Sequence, residues 1–156
     1  MKICVFSDSH GCAANLLAAV GREAPAFCFF LGDGERDLAA LRARFPALPV
    51  EAVRGNCDLR SALPLTLSCA VGGVHLFAAH GHTLNVKYEP ELDTLRGAAR
   101  RAGASLALFG HTHRAYLAER EGLTLLNPGA IGRGAAPRYA VLTVEDGRFS
   151  AELKTL

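Results

Sequence analysis

The hydrophobic pattern changes its period several times along the chain, and each change marks an element. Residues 2–7, KICVFS, carry an unbroken apolar run of the kind that predicts a strand buried on both faces. The segment 13–24, AANLLAAVGREA, instead spaces Leu16, Leu17 and Val20 at helical intervals and stops before Pro25. A second buried strand follows at 26–33, AFCFFLGD, then a short helix over about 37–45 and a third strand at 49–56, PVEAVRGN. This β-α-β-α-β order predicts a parallel sheet with helical crossovers.

The pattern then turns to paired strands. Residues 65–82, LTLSCAVGGVHLFAAHGH, read as a hairpin around Gly72-Gly73. A helix over 90–102 leads into SLALFGHTH at 105–113, and strands return as AYLAER, LTLLNPG and RYAVLTVEDGRFSAELKTL. In the last of these Asp146-Gly147 separates two alternating runs, a second hairpin signal. With helices early and central, and hairpins extending a second sheet, the expected fold class is α/β. Two β-sheets pack face to face as a sandwich flanked by helices, in a single domain over 1–156.

Composition narrows the classes. Half of the 156 residues are apolar and 21% are charged, which fits a globular domain. Seventeen basic against fifteen acidic residues, interspersed, leave nucleic acid unindicated by charge. No run approaches the ~20 apolar residues of a membrane helix, so no membrane partner is expected. The apolar run after Lys2 is short for a secretion signal. The five cysteines show no CxxC spacing and point to reduced thiols, hence to a cytoplasmic location.

Chemistry concentrates where apolar runs end. SDSHG brings Asp8 and His10, LGDGE brings Asp33, and RGNCD brings Asn56, Cys57 and Asp58. AAHGHT brings His80 and His82, and FGHTHR brings His111 and His113. Five of the six histidines therefore lie at strand ends, where α/β sheets bind ligands; only His75 stands apart, in a structural position. Imidazoles two residues apart in extended chain project to one side. Together with two carboxylates they exceed what one tetrahedral zinc can use. The inventory fits two divalent ions, with Asp33 as the natural bridge because it comes alone from its strand end. Mixed imidazole, carboxylate and amide oxygen suits Mn²⁺ first, with Fe, Zn or Ni as alternatives. Such a centre is net positive and suited to a small phosphate-ester substrate.

In order, D-x-H, GD, GN-x-D, HGH and GHTH resemble the motifs of the calcineurin-like metallophosphoesterases. The short chain, the GNCD variant and NPGA look most like the small bacterial and archaeal branch related to the Vps29 subunit of retromer. That resemblance implies Asp8, His10, Asp33 and His113 as ligands of one metal, and Asp33, Asn56, His80 and His111 as ligands of the other. It implies a metal-dependent phosphoric ester hydrolase, a phosphodiesterase before a phosphomonoesterase, that uses a metal-bridging hydroxide as nucleophile. His82 has no ligand place in the pattern; it would orient His80 or touch the phosphate.

Cys57 departs from the wider family, whose motif has at this position a histidine that protonates the leaving group. A thiol with pKa near ~8.5 matches that task less well than an imidazole near ~6.5. Either the favoured substrates have a leaving oxygen that needs little protonation, or water, His82 or Asp58 supplies the proton. Asn127 in LNPGA reads as a turn residue, and Arg54 and Arg114 as solvated charges beside the motifs. The alternative to an enzyme is a Vps29-like interaction module with a non-catalytic metal site, and the complete set of ligand-type residues favours the enzyme. Homo-oligomerisation is left open.

Overall fold

The computed structural model describes residues 1–156. Ten strands and three helices follow in the order β1 (Lys2–Phe6), α1 (Ala13–Glu23), β2 (Phe27–Phe30), α2 (Glu35–Arg44), β3 (Val50–Ala52), β4 (Thr66–Val71), β5 (Val74–Ala79), α3 (Asp93–Arg101), β6 (Leu106–Leu108), β7 (Tyr116–Arg120), β8 (Leu123–Asn127), β9 (Arg138–Glu145) and β10 (Arg148–Thr155). They form two five-stranded sheets, ordered β10-β9-β1-β2-β3 and β4-β5-β6-β8-β7. The expected sandwich is present.

Alternation along the central strands explains the layers. Ile3 and Val5 of β1 join Phe29, Leu31, Leu76, Leu106, Leu108 and Leu126 in the core between the sheets. Cys4 and Phe6 point the other way, into a layer with Leu16, Val20, Leu38 and Leu41 from α1 and α2. On the far side α3 lays Leu95 and Ala99 over Phe77, Ala107 and Leu125. A strand covered on both faces needs apolar residues at every position, which is why β1 and β2 read as continuous runs. Each large side chain buried here contributes about 1.5–3 kcal/mol.

One expectation is corrected. The final hairpin, β9-β10, belongs to the first sheet, where β9 runs antiparallel beside β1 with Cys4 opposite Val141. Val141 faces the helical layer while Leu142 and Val144 fill the inter-sheet core, and that alternation does not reveal which sheet receives the strand. The buried Glu23 at the end of α1 accepts hydrogen bonds from Tyr139 Oη at 2.9 Å, Lys154 Nζ at 3.0 Å and Lys2 Nζ at 3.3 Å. It thereby clamps the helix to β1, β9 and β10.

Strands β1, β2 and β3 run parallel in one sheet, and β5, β6 and β8 in the other. They end earlier than their apolar runs suggest because the motif residues turn sharply. Asp8, His10, Asp33, His111 and His113 all have positive φ, between 45° and 66°. For residues other than glycine this region is sparsely populated, and such strain gathers at functional sites. No helix is long and apolar enough to cross a membrane.

Candidate metal centre

The loops after β1, β2, β3, β5 and β6 converge on one another. Asp8, His10 and His113 form one group of potential ligand atoms lying within 4.8 Å of each other, and Asp33, His80 and His111 form another. Asp33 Oδ2 sits between them, 3.9 Å from His10 Nε2 and 3.4 Å from His80 Nε2. Residues 105 positions apart in sequence, Asp8 and His113, approach to 3.1 Å through Oδ1 and Nε2.

Three ligand-type side chains, Asp8, Asp33 and His80, are oriented by partners on their far sides. Asp8 Oδ2 accepts the Ser7 hydroxyl at 2.6 Å and the His111 backbone N–H at 3.0 Å. Its other oxygen, Oδ1, is buried with no hydrogen-bond partner. Asp33 Oδ1 accepts the Cys57 N–H at 2.7 Å, which turns Oδ2 inward. His80 Nδ1 donates to Leu31 O at 2.7 Å, leaving Nε2 as the atom that faces Asn56 Oδ1 at 3.2 Å. His10 and His113 bring their Nε2 atoms to 3.2 Å. The inward atoms are thus almost all acceptors, a donor set that calls for cations.

Electrostatics follow from this crowding. Burial pulls Asp33 upward, but hydrogen bonds from His80 and from the Cys57 N–H outweigh it and hold the carboxyl well below the usual range. Burial works against a charge on His80, yet Asp33 and Asp8 raise its pKa above that of an ordinary imidazole. His111 meets the opposite balance: burial, then the neighbouring His80 and Lys87, lower it to about 4. His82 is lowered by burial, His80 and Arg54, and its buried Nδ1 has no partner. Its ring packs 5.4 Å from that of His80 and 6.1 Å from that of His111.

All seven residues expected as ligands come together here, with His82 against them. Cys57 lies exposed at the rim, accepts Asn56 Nδ2 at 3.3 Å, and falls within 4.8 Å of His10 and Asp33 as a further ligand-type group. Burial, then Asp33 and Asp58, push its thiol upward. Asp58, one of three groups expected as a proton source, has both carboxylate oxygens occupied by backbone N–H groups. Oδ2 accepts the backbone N–H of Asp33 at 2.8 Å and of Gly55 at 2.9 Å, while Oδ1 accepts those of Gly34 and Glu35 at 3.0 Å. Both oxygens are therefore engaged in bracing the Asp33 loop and capping α2, a helix without a capping side chain of its own. His75 lies exposed on β5, outside the cluster.

Several braces escaped the motif reading. Buried Asp37 accepts Ser9 Oγ at 2.5 Å and the Gly11 N–H at 2.8 Å, holding the SDSHG loop. Asn127 keeps the expected turn through Oδ1, which accepts the Gly129 N–H, but its Nδ2 also donates to Gly110 O at 2.9 Å and Thr112 Oγ1 at 3.1 Å. It fixes the GHTH loop from β8, a role foreshadowed only by its place at a strand end. Two glycines are dictated by close approach: a Cβ on Gly55 would collide with Asp33 Oδ1, and one on Gly110 with the Ser7 hydroxyl.

Residues 1–147 match the family model described as the calcineurin-like phosphoesterase superfamily domain. The chain belongs to that superfamily. Its relatives include the probable metallophosphoesterase YsnB of Bacillus subtilis, 31% identical over 94% of this chain and 86% of that protein. Among solved structures, a predicted phosphoesterase from Streptococcus pneumoniae superposes with TM-score 0.82 at 27% identity, covering 99% of this chain and 88% of that one. Vps29 of Entamoeba histolytica, solved with Zn²⁺, shares the fold with TM-score 0.80 at 20% identity, over 100% and 98% of the two chains. The superfamily is one of divalent-metal-dependent phosphoesterases, and the converging imidazoles and carboxylates are this chain's candidate metal-binding residues.

Proposed function

We propose that the protein is a dinuclear phosphoesterase acting on phosphodiesters. The observation carrying this reading is the meeting of two ligand groups across Asp33 Oδ2, beside a buried Asp8 Oδ1 that accepts no hydrogen bond. Asp8, His10, Asp33 and His113 would hold one ion, and Asp33, Asn56, His80 and His111 the second. Mn²⁺ is the ion we assign first, on the mixture of imidazole, carboxylate and amide oxygen. Bound there, two divalent ions would supply a water-derived nucleophile at neutral pH and positive charge for the phosphate oxygens.

The chain's own groups do the rest. Leu31 O fixes the His80 tautomer, and the Cys57 N–H fixes which Asp33 oxygen faces inward. His82, kept neutral by burial, His80 and Arg54, is the group we assign to hydrogen-bond the ester and relay a proton. Cys57, with its thiol pushed upward, donates poorly to an alkoxide, so esters with easily released oxygens are favoured. The side chains of His10 and His113 are 37% and 49% exposed, which leaves room on the phosphate for two substituents, as a diester needs. The complete set of ligand-type residues favours the enzyme over a bare interaction module.

The test is hydrolysis of bis(p-nitrophenyl) phosphate and p-nitrophenyl phosphate by metal-stripped protein, with and without added Mn²⁺, beside Asp33→Ala. Metal-dependent diester hydrolysis that disappears in the variant supports the reading. A folded, metal-binding protein inactive on both esters with several divalent ions would turn the assignment to the interaction module.

A further inference from the structure

The segment between HGH and α3 forms, with the GHTH loop and the start of β7, a groove of about 600 Å³. Six of its eleven lining residues are hydrophobic, and three are aromatic: Tyr88, Phe109 and Tyr116. Phe109 and Tyr116 pack edge to face with centroids 6.1 Å apart, forming a fixed wall. Tyr88 is 83% exposed, an aromatic ring held out at the rim by a turn in which its N–H donates to Asn85 O at 2.8 Å. The groove adjoins the GHTH loop of the metal centre: Thr112 and Arg114, which flank His113, line it.

Charge says what fits. Lys87 and Arg114 are the two cations of the lining and Glu89 its one acid. The Glu89 carboxylate is already committed: it accepts Thr94 N and Thr94 Oγ1, both at 2.7 Å, and Asn85 Nδ2 at 3.3 Å, closing the first turn of α3. Lys87 and Arg114 form no ion pair within the chain. The free charge of the groove is positive. Exposed aromatics beside cations form the surface on which a base stacks while its phosphate is held.

We propose that this groove binds one arm of the ester substrate, and that the arm is a nucleotide: a base stacked on Tyr88 and Tyr116 with a second phosphate held by Lys87 and Arg114. The volume lies within the ~300–1,000 Å³ of small-molecule sites. This deepens the phosphodiesterase reading and rests on it. Water supplies the oxygen that joins phosphorus and the proton that leaves with the alcohol, so no co-reactant is required.

The experiment uses metal-loaded protein and three diesters: bis(p-nitrophenyl) phosphate, the thymidine dinucleotide TpT, and its 5′-phosphorylated form pTpT. In the parent chain kcat/KM for pTpT should exceed that for TpT by about tenfold, the worth of a charge-assisted contact. Lys87→Ala and Arg114→Ala should each reduce that ratio toward one, mainly through KM. Tyr88→Ala should lower both dinucleotides relative to bis(p-nitrophenyl) phosphate. All three side chains are exposed, so folding is not at stake. Hydrolysis of bis(p-nitrophenyl) phosphate with equal treatment of TpT and pTpT, or with variants that keep the parent ratio, overturns the groove assignment alone. No hydrolysis of any diester overturns the phosphodiesterase reading, and the groove assignment with it.

Discussion

His80 Nε2 faces Asn56 Oδ1 at 3.2 Å, while His80 Nδ1 donates its proton to Leu31 O. A neutral imidazole in that tautomer presents an acceptor to an acceptor, with Asp33 Oδ2 at 3.4 Å and Asp8 Oδ1 at 3.9 Å closing the ring. A proton on Nε2, which Asp33 and Asp8 favour, or a metal ion in its place resolves this confrontation. Asn56→Ala removes one oxygen from the ring. Its Mn²⁺ titration by calorimetry should show the weaker of two sites lowered by roughly tenfold or more. An isotherm identical to the parent's would remove Asn56 from the ligand set.

Asp58 holds the adjacent loops through four backbone N–H groups. Asp58→Ala leaves those donors without their partner and should cost about 2–4 kcal/mol in urea unfolding, with weaker metal binding because Asp33 loses its backbone anchor. Unchanged stability would show that water replaces the carboxylate without loss.

The ligand-type residues that converge were legible in the sequence and their supports were not, for a physical reason. A metal ligand must be one of a few residue types at a strand end, so D-x-H, HGH and GHTH announce themselves. Their braces use generic chemistry across long separations: Asp8 to the His111 N–H, Asp37 to Ser9, Asn127 to Gly110. Nothing in a local window distinguishes those residues from turn formers. Strand lengths were overread for a related reason. The apolar run continues through Leu31 and Val53 into the core, but β2 and β3 end before them, ahead of the tightly apposed Gly32 and Gly55. The Lys87–Tyr88 groove depends on a loop with no period at all.

Glu23 gives a stability test far from the centre. Burial raises its pKa, but hydrogen bonds from Lys154, Tyr139 and Lys2 outweigh burial and hold it below its ordinary value of 4.5. A depressed carboxyl contributes its full stability above the unfolded pKa and loses it as pH falls through the folded one. Glu23→Gln should therefore be less stable than the parent by about 1–2 kcal/mol at pH 7, with the gap narrowing below pH ~4.5. A gap that stays constant down to the acid limit would mean that packing, not charge, holds the clamp.

In the proposed mechanism Cys57→His places an imidazole beside the leaving oxygen. The ratio of rates on poor and good leaving groups should rise, by about tenfold or more on alkyl against nitrophenyl esters. An unchanged ratio would mean that protonation comes from water or His82 regardless of residue 57.

The proposed dinuclear centre is tested most directly by titrating metal-stripped protein with Mn²⁺ and following the bound ions by electron paramagnetic resonance. Two ions per chain with an exchange-coupled spectrum, reduced to one uncoupled ion in His80→Ala, is the expected result. Saturation of the parent chain by a single ion with an uncoupled six-line signal would contradict it.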